Sequence, residues 1–159
     1  MAFDVFLKID GVDGESTVKG FEKWINVESF SWGVTNTATV GGANGTGGAA
    51  GKASFNQLHI TTPSQVSSPK LFAACATGKH FPTVTLQVRK SNQDSFLKFE
   101  LKEVLITSFN MSGRSGDALP HDAFVLDAQS ASESVSPRLP TGALGEPVLG
   151  VFDFIKAVG

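Results

Sequence analysis

The chain opens on strict alternation. Phe3, Val5, Leu7 and Ile9 fall at every second position, with Asp4, Lys8 and Asp10 among the residues between them, and that period is the one a half-buried strand requires. Phe6 alone breaks the polar set, so its ring is expected on the outer face as partner surface. Asp13-Gly14 supplies a turn, and a second extended segment is predicted from Trp24 to Val40, with Gly33 marking a bulge or bend. Phe55, Leu58 and Ile60 predict a further strand that ends at Thr62-Pro63-Ser64. Val84, Leu86 and Val88 alternate with Thr83, Thr85, Gln87 and Arg89 in the cleanest amphipathic strand of the chain, and Ser91-Asn92-Gln93-Asp94 turns it back. In the β-rich run from Phe96 to Phe109, Leu97, Phe99 and Leu101 share a face until Glu103 takes the next slot. Burying an unpaired carboxylate is costly, so a bulge that switches faces is expected at Glu103. Phe124, Leu126 and Ala128 resume a strand, and the serines at 130, 132, 134 and 136 predict that the next stretch faces water. Residues 149–158 are apolar on both faces, the pattern of a strand inserted in a barrel or laid against a neighbour.

One short helix interrupts the strands. Ser68 suits the N-cap, Pro69 the first helical position and Gly78 a left-handed stop. Leu71, Phe72 and Cys75 then share one face at three-to-four spacing and are expected to plug against the sheet. Between the strands lies Gly41-Gly42-Ala43-Asn44-Gly45-Thr46-Gly47-Gly48-Ala49-Ala50-Gly51, too poor in side chains to make core and therefore a long loop. Seven or eight strands at short spacing with one helix predict a mainly β barrel or sandwich and exclude a βαβ fold. The 159 residues suit a single domain.

Charge and candidate chemistry narrow the function by subtraction. Thirteen basic residues against fifteen acidic ones, with no basic run, give no basis for counterion-release binding to nucleic acid. Met1 to Phe6 has neither the basic nor the apolar region of a Sec signal, so the chain is expected to be made in the cytoplasm. No stretch has the apolar length for a transmembrane helix, so direct membrane insertion is not expected. Gly51-Lys52 resembles the end of a Walker A loop, but Thr46 stands at its first glycine, Ala53 replaces Ser or Thr, and a strand follows in place of a helix. The G-x-G-x-x-A spelling at Gly45 to Ala50 likewise lacks a helix to receive a pyrophosphate, and Lys70 stands near where an acid is needed. His59, His80 and His121 lie too far apart for a metal-binding pair, and Asp117 spoils the nucleophile elbow around Ser115. Cys75 sits in a small apolar run and reads as a buried, inert thiol. No catalytic residue, cofactor or metal is expected.

The order of segments carries a resemblance. The Phe3 to Ile9 strand, Gly14-Glu15-Ser16, Phe30-Ser31-Trp32-Gly33, the glycine-rich loop ending in Gly51-Lys52, Ser68-Pro69-Lys70-Leu71, the run from Ala74 to Pro82 and Leu101-Lys102-Glu103-Val104-Leu105 together resemble the Hcp family. These hemolysin-coregulated proteins form the inner tube of the bacterial type VI secretion system. The resemblance implies a small two-sheet β-barrel with one flanking helix, assembled as hexameric rings that stack into a tube. It implies a contracting sheath and a spike as partners, effector proteins carried in the lumen, and export through the apparatus itself. It places the loop from Gly41 to Gly51 against an adjoining ring and Ser31 on the lumen. Ser130 to Ser136 and Pro137 to Pro147 depart from the family pattern. A reading of another class is a monomeric β-sandwich for a carbohydrate or small ligand, with Trp24 and Trp32 as stacking surfaces.

Overall fold

The computed structural model describes residues 3–38, 51–90 and 94–156. Its strands are β1 (Phe3–Ile9), β2 (Ile25–Val27), β3 (Ser29–Ser31), β4 (Val34–Asn36), β5 (Ala53–Phe55), β6 (Leu58–Pro63), β7 (His80–Lys90), β8 (Ser95–Ser112), β9 (His121–Val135) and β10 (Val148–Asp153), with one helix, α1 (Ser68–Thr77). The main sheet runs β2-β1-β7-β8-β9-β6-β3, with β10 added beside β9, while β4 and β5 pair only with each other. Glu28, between β2 and β3, donates its backbone N–H to Thr61 of β6 at 2.8 Å, so the two ends of the sheet nearly meet. The result is a mainly β, nearly closed barrel with a small second sheet.

Alternation places the core as the sequence indicates. Val5, Leu7 and Ile9 pair with Val88, Leu86 and Val84, and all six are buried. Leu58, Ile60, Phe124 and Leu126 fill the other side. The long segment predicted from Trp24 to Val40 breaks into three short strands, because its neighbours change from β1 to β6 to β5 along its length. Gly33 lies at the last of these breaks, where its carbonyl accepts the Asn56 N–H at 2.7 Å.

The face switch at Glu103 occurs, but the bulge expected to produce it is absent. Leu101 and Val104 are both buried, and Glu103 itself is exposed with φ of 53°. Register with the neighbours is unchanged across this point, because Pro82 and Gln129, which stand opposite, mark the same switch in their strands. Buried positions pass from Phe81 to Val84 in β7 and from Leu126 to Ala131 in β9. A true register shift lies further on, between Ile106 and Ser108.

Several expectations are corrected. Phe6 is not outer partner surface: it is 3% exposed, stacked 4.4 Å from Phe21, with the Arg89 guanidinium 5.5 Å from its ring. The loop after β1 folds back and makes a second, small aromatic core there. The serine-rich segment is not a water-facing flap, for residues 130–135 are the end of β9, hydrogen-bonded between β8 and β10, and Ala131 is buried.

The helix starts one residue earlier than expected, since Ser67 rather than Ser68 holds the N-cap position and makes no side-chain cap bond. Ser68 is needed elsewhere: its hydroxyl accepts the Gln65 N–H and donates to the fully buried Asp122 carboxyl, which also accepts the Ser64 hydroxyl at 2.8 Å. A buried carboxyl is tolerated when its oxygens are bonded, and here the bonds tie the head of α1 to β9. The left-handed stop at Gly78 is present, with φ of 68°. Leu71 and Ala74 face the core, Cys75 is half-buried, and Phe72 is 62% exposed, edge-on to Phe109. The three-to-four spacing that unites Leu71 and Cys75 leaves Phe72 on the flank.

Phe6→Ala is expected to lower unfolding free energy by about 3 kcal/mol in urea titration, in the range for emptying a buried aromatic site. Asp122→Ala leaves the buried Ser68 hydroxyl and the half-buried Ser64 hydroxyl without their acceptor and is expected to cost about 2 kcal/mol. Amide exchange should quicken in residues 67–72 before it does in β7, which separates a loosened helix from general destabilisation.

Candidate functional site

The apolar face of the main sheet does not end where its cover ends. In one ladder row Val5 pairs with Val88, Val88 with Leu97, Leu97 with Val135 and Val135 with Val148. Val5 and Val88 are buried, Leu97 and Val135 half-buried, and Val148 is 72% exposed. The opposite face of β10 carries Leu149, 65% exposed, and Val151. Among the described residues β10 pairs only with β9, which leaves its other backbone edge without a partner there. The sequence pattern of residues 149–158 offered an inserted strand or one against a neighbour, and β10 is an edge strand with both faces partly open.

Beside it lies a shallow apolar groove of about 180 Å³, lined by Trp32, Val34, Phe99, Gly150 and Phe152 among others. Trp32 stacks on Phe99 at 4.2 Å and tilts against Phe55, so its ring face is already used. Trp24 is likewise turned edge-on to Phe21 at 5.0 Å.

The second sheet flanks the glycine-rich segment on both sides in sequence. Val34, Thr35 and Asn36 pair with Phe55, Ser54 and Ala53. The ribbon continues through Thr37 N–H to the Lys52 carbonyl at 3.3 Å and Lys52 N–H to the Thr37 hydroxyl at 2.9 Å. A Cβ at Gly51 would overlap the backbone of Thr37 and Ala38, so only glycine lets the two legs close. The loop expected at Gly41, Gly42, Ala43, Asn44, Gly45, Thr46, Gly47, Gly48, Ala49 and Ala50 lies outside the described residues. Gly51 alone of that set is inside them.

A cavity of about 470 Å³ separates the ribbon from the barrel. Lys52, His80, Glu103, Asp127 and Gln129 line it, together with Phe154 and Ile155 of the tail. Asp153 anchors that tail, accepting the Ile155 and Lys156 N–H groups at 3.0 and 2.8 Å and the Gln129 amide at 3.1 Å. The Lys156 N–H chiefly holds the Asp153 carboxyl below the usual aspartate range, partly opposed by desolvation. Among the described residues no group of three or more His, Cys, Asp or Glu is placed to hold a metal, and no helix is long and apolar enough to cross a membrane.

Ser31 is exposed on β3, opposite His59 of β6, while Phe30 turns inward opposite buried Ile60. His121 pairs with Glu28 at 2.8 Å. Sequence pattern did not reveal the uncovered row Leu97, Val135 and Val148 as one surface, because its members come from three strands. Register alone aligns them.

Comparison with known proteins agrees with this architecture. Residues 6–137 match the family described as "Type VI secretion system effector, Hcp". The chain is 36% identical over 152 residues to protein hcp1 of Pseudomonas aeruginosa, covering 93% of each. Among solved structures, a type six secretion system protein superposes with a TM-score of 0.93 at 28% identity over 99% of both chains. Hcp1 of Salmonella typhimurium superposes at 0.82 and 28% identity, covering 99% of this chain and 98% of the other. A chain with this sheet order, this flanking helix and these relatives belongs to the Hcp family of type VI secretion tube proteins.

Proposed function

We propose that the chain is a non-enzymatic, single-domain structural subunit that closes into hexameric rings and stacks as the inner tube of the type VI apparatus. The observation that carries this reading is the row from Leu97 through Val135 to Val148, core face on one side of the molecule and exposed surface on the other. An uncovered apolar edge strand is an invitation to pairing and needs a cover. A second copy supplies one without further design, and identical subunits close a ring when each offers two different complementary patches.

On this reading the loop from Gly41 to Gly51, held at its base by the β4–β5 ribbon, docks on an adjoining ring. Ser31, exposed between the inward Phe30 and the stacked Trp32, faces the lumen, where effector proteins are carried. Sheath and spike proteins are the remaining partners. The subunit, made in the cytoplasm, leaves through the apparatus it builds.

Light scattering of the purified protein is expected to give a mass several times the 16.7 kDa of one chain, with hollow rings in electron micrographs. The double change Val148→Asp and Leu149→Asp should shift the mass toward one chain while leaving the circular dichroism spectrum mainly β. A single-chain mass for the unaltered protein at high concentration would remove the reading and return the chain to the ligand-binding class. Deleting Gly42 to Ala50 should leave rings intact and reduce their stacking into tubes, counted on the same micrographs. Unchanged tube length after the deletion would detach the loop from stacking.

A further inference from the structure

The β4–β5 ribbon is thinly attached to the rest of the fold. Each of its strands has three residues and pairs only with the other, and a two-stranded ribbon by itself is marginal in water. Among the described residues, the hydrogen bonds of residues 33–38 and 52–56 all run within that set. The ribbon's two legs join the main sheet at Gly33 and at Gln57, whose φ is 53°. Asn56 donates its N–H to the Gly33 carbonyl at 2.7 Å, so the legs are tied to each other and not to the barrel. Element-terminal positions of this kind are where a hinge absorbs a change of angle.

Packing has to supply what hydrogen bonds do not. The ribbon's apolar anchor is Phe55, half-buried against the core, whereas Val34 is 49% exposed. Phe55 lies tilted at 6.4 Å from both Trp32 and Phe99, which are already stacked on one another. Its closest aromatic contact is Phe154 of the tail, stacked at 5.4 Å with 28° between the rings. Around that contact the ribbon borders open space, the cavity of about 470 Å³ and another of about 610 Å³ lined by Asn36, Ala53 and Phe152 among others. Phe154 is itself fixed to the main sheet. Its N–H donates to the Gln129 carbonyl of β9 at 2.8 Å, and the Asp153 carboxylate beside it accepts the Gln129 amide and the next two N–H groups of the tail.

We propose that the C-terminal tail is a clasp: Phe154, fixed to β9, holds the ribbon at its angle to the barrel through Phe55, and release of the tail lets the ribbon swing about Gly33 and Gln57. The end of the chain thus sets the bearing of the two legs that lead into residues 39–50. The clasp itself needs no second copy. Its consequence for assembly rests on the reading that the glycine-rich loop docks on an adjoining ring, for the clasp then sets the direction in which that loop is presented.

Hydrogen exchange of the full-length protein, read by mass spectrometry, compares residues 34–37 and 52–55 with β7. Phe154→Ala is expected to quicken exchange in the ribbon by on the order of tenfold, because an aromatic pair is lost where little else holds. Exchange in β7 should change by less than about twofold. Asp153→Ala loosens the tail but keeps the Phe154 ring, and should raise ribbon exchange by on the order of threefold. Ile155→Ala, at a side chain that is 75% exposed, should leave it unchanged. An unchanged ribbon in Phe154→Ala, or a rise of equal size in β7, would overturn the clasp, the second because Phe154 would then serve the whole core. Micrographs of Phe154→Ala should show rings with fewer or shorter tubes. Normal tubes beside a faster ribbon would overturn the part of the clasp in stacking and leave the ring reading standing. A single-chain mass for the unaltered protein would overturn the ring reading and leave the clasp to stand on its exchange result.

Discussion

The apolar face of the main sheet is wider than the chain that covers it. At β1 and β7 the alternating Val, Leu and Ile side chains are sealed by β6, α1 and the far wall of the barrel. Toward β10 the same face runs out from beneath that cover, and along one ladder row the side chains pass from buried Val88 through half-buried Leu97 and Val135 to exposed Val148. Water contact at those rows is unfavourable in proportion to the apolar area left bare. The free edge of β10 adds unpaired backbone groups beside it. Self-association, as proposed above, would remove both costs.

The long strands make this geometry possible because they bend. β7, β8 and β9 all change their buried parity on the line through Pro82, Glu103 and Gln129, so one set of strands serves the barrel on one side and the extended sheet on the other. Pro82 lacks the N–H that a straight ladder would use, and Glu103 takes the left-handed backbone that releases its carboxylate to the surface. Past that line the extra residue between Ile106 and Ser108 strengthens the local twist. The outer face that carries Ser31 and His59 is the product of this second segment.

Local pattern failed wherever the partner of a residue is remote in sequence. Phe6 broke the alternation of β1 and looked like surface, yet Phe21 and Arg89 enclose it. Ser68 has the chemistry of an N-cap, yet Asp122, far along the chain, claims its hydroxyl. The serines of β9 looked solvated, and strand pairing on both sides half-buries them. Phe72 met a helical-spacing rule that tells which residues share a side and not how wide the covered side is.

The amino-acid sequence by itself determined the mainly β class, the strands at β1, β7 and β8, the stop of α1 at Gly78 and the need for a face switch at Glu103, whereas the strand expected through Phe55, Leu58 and Ile60 is split between β5 and β6. Each follows from spacing, from backbone restrictions of Gly and Pro, or from the cost of burying one charge, and all of these act within a few residues. The family resemblance was legible for a related reason, since the order of turns, strands and helix is a linear property. Only the tertiary structure decided which strands are neighbours. That choice brought half-buried Leu97 and Val135 into one row with exposed Val148, set His59 opposite Ser31, and folded the loop after β1 over Phe6. Register joins residues that are distant along the chain, and no local periodicity encodes it.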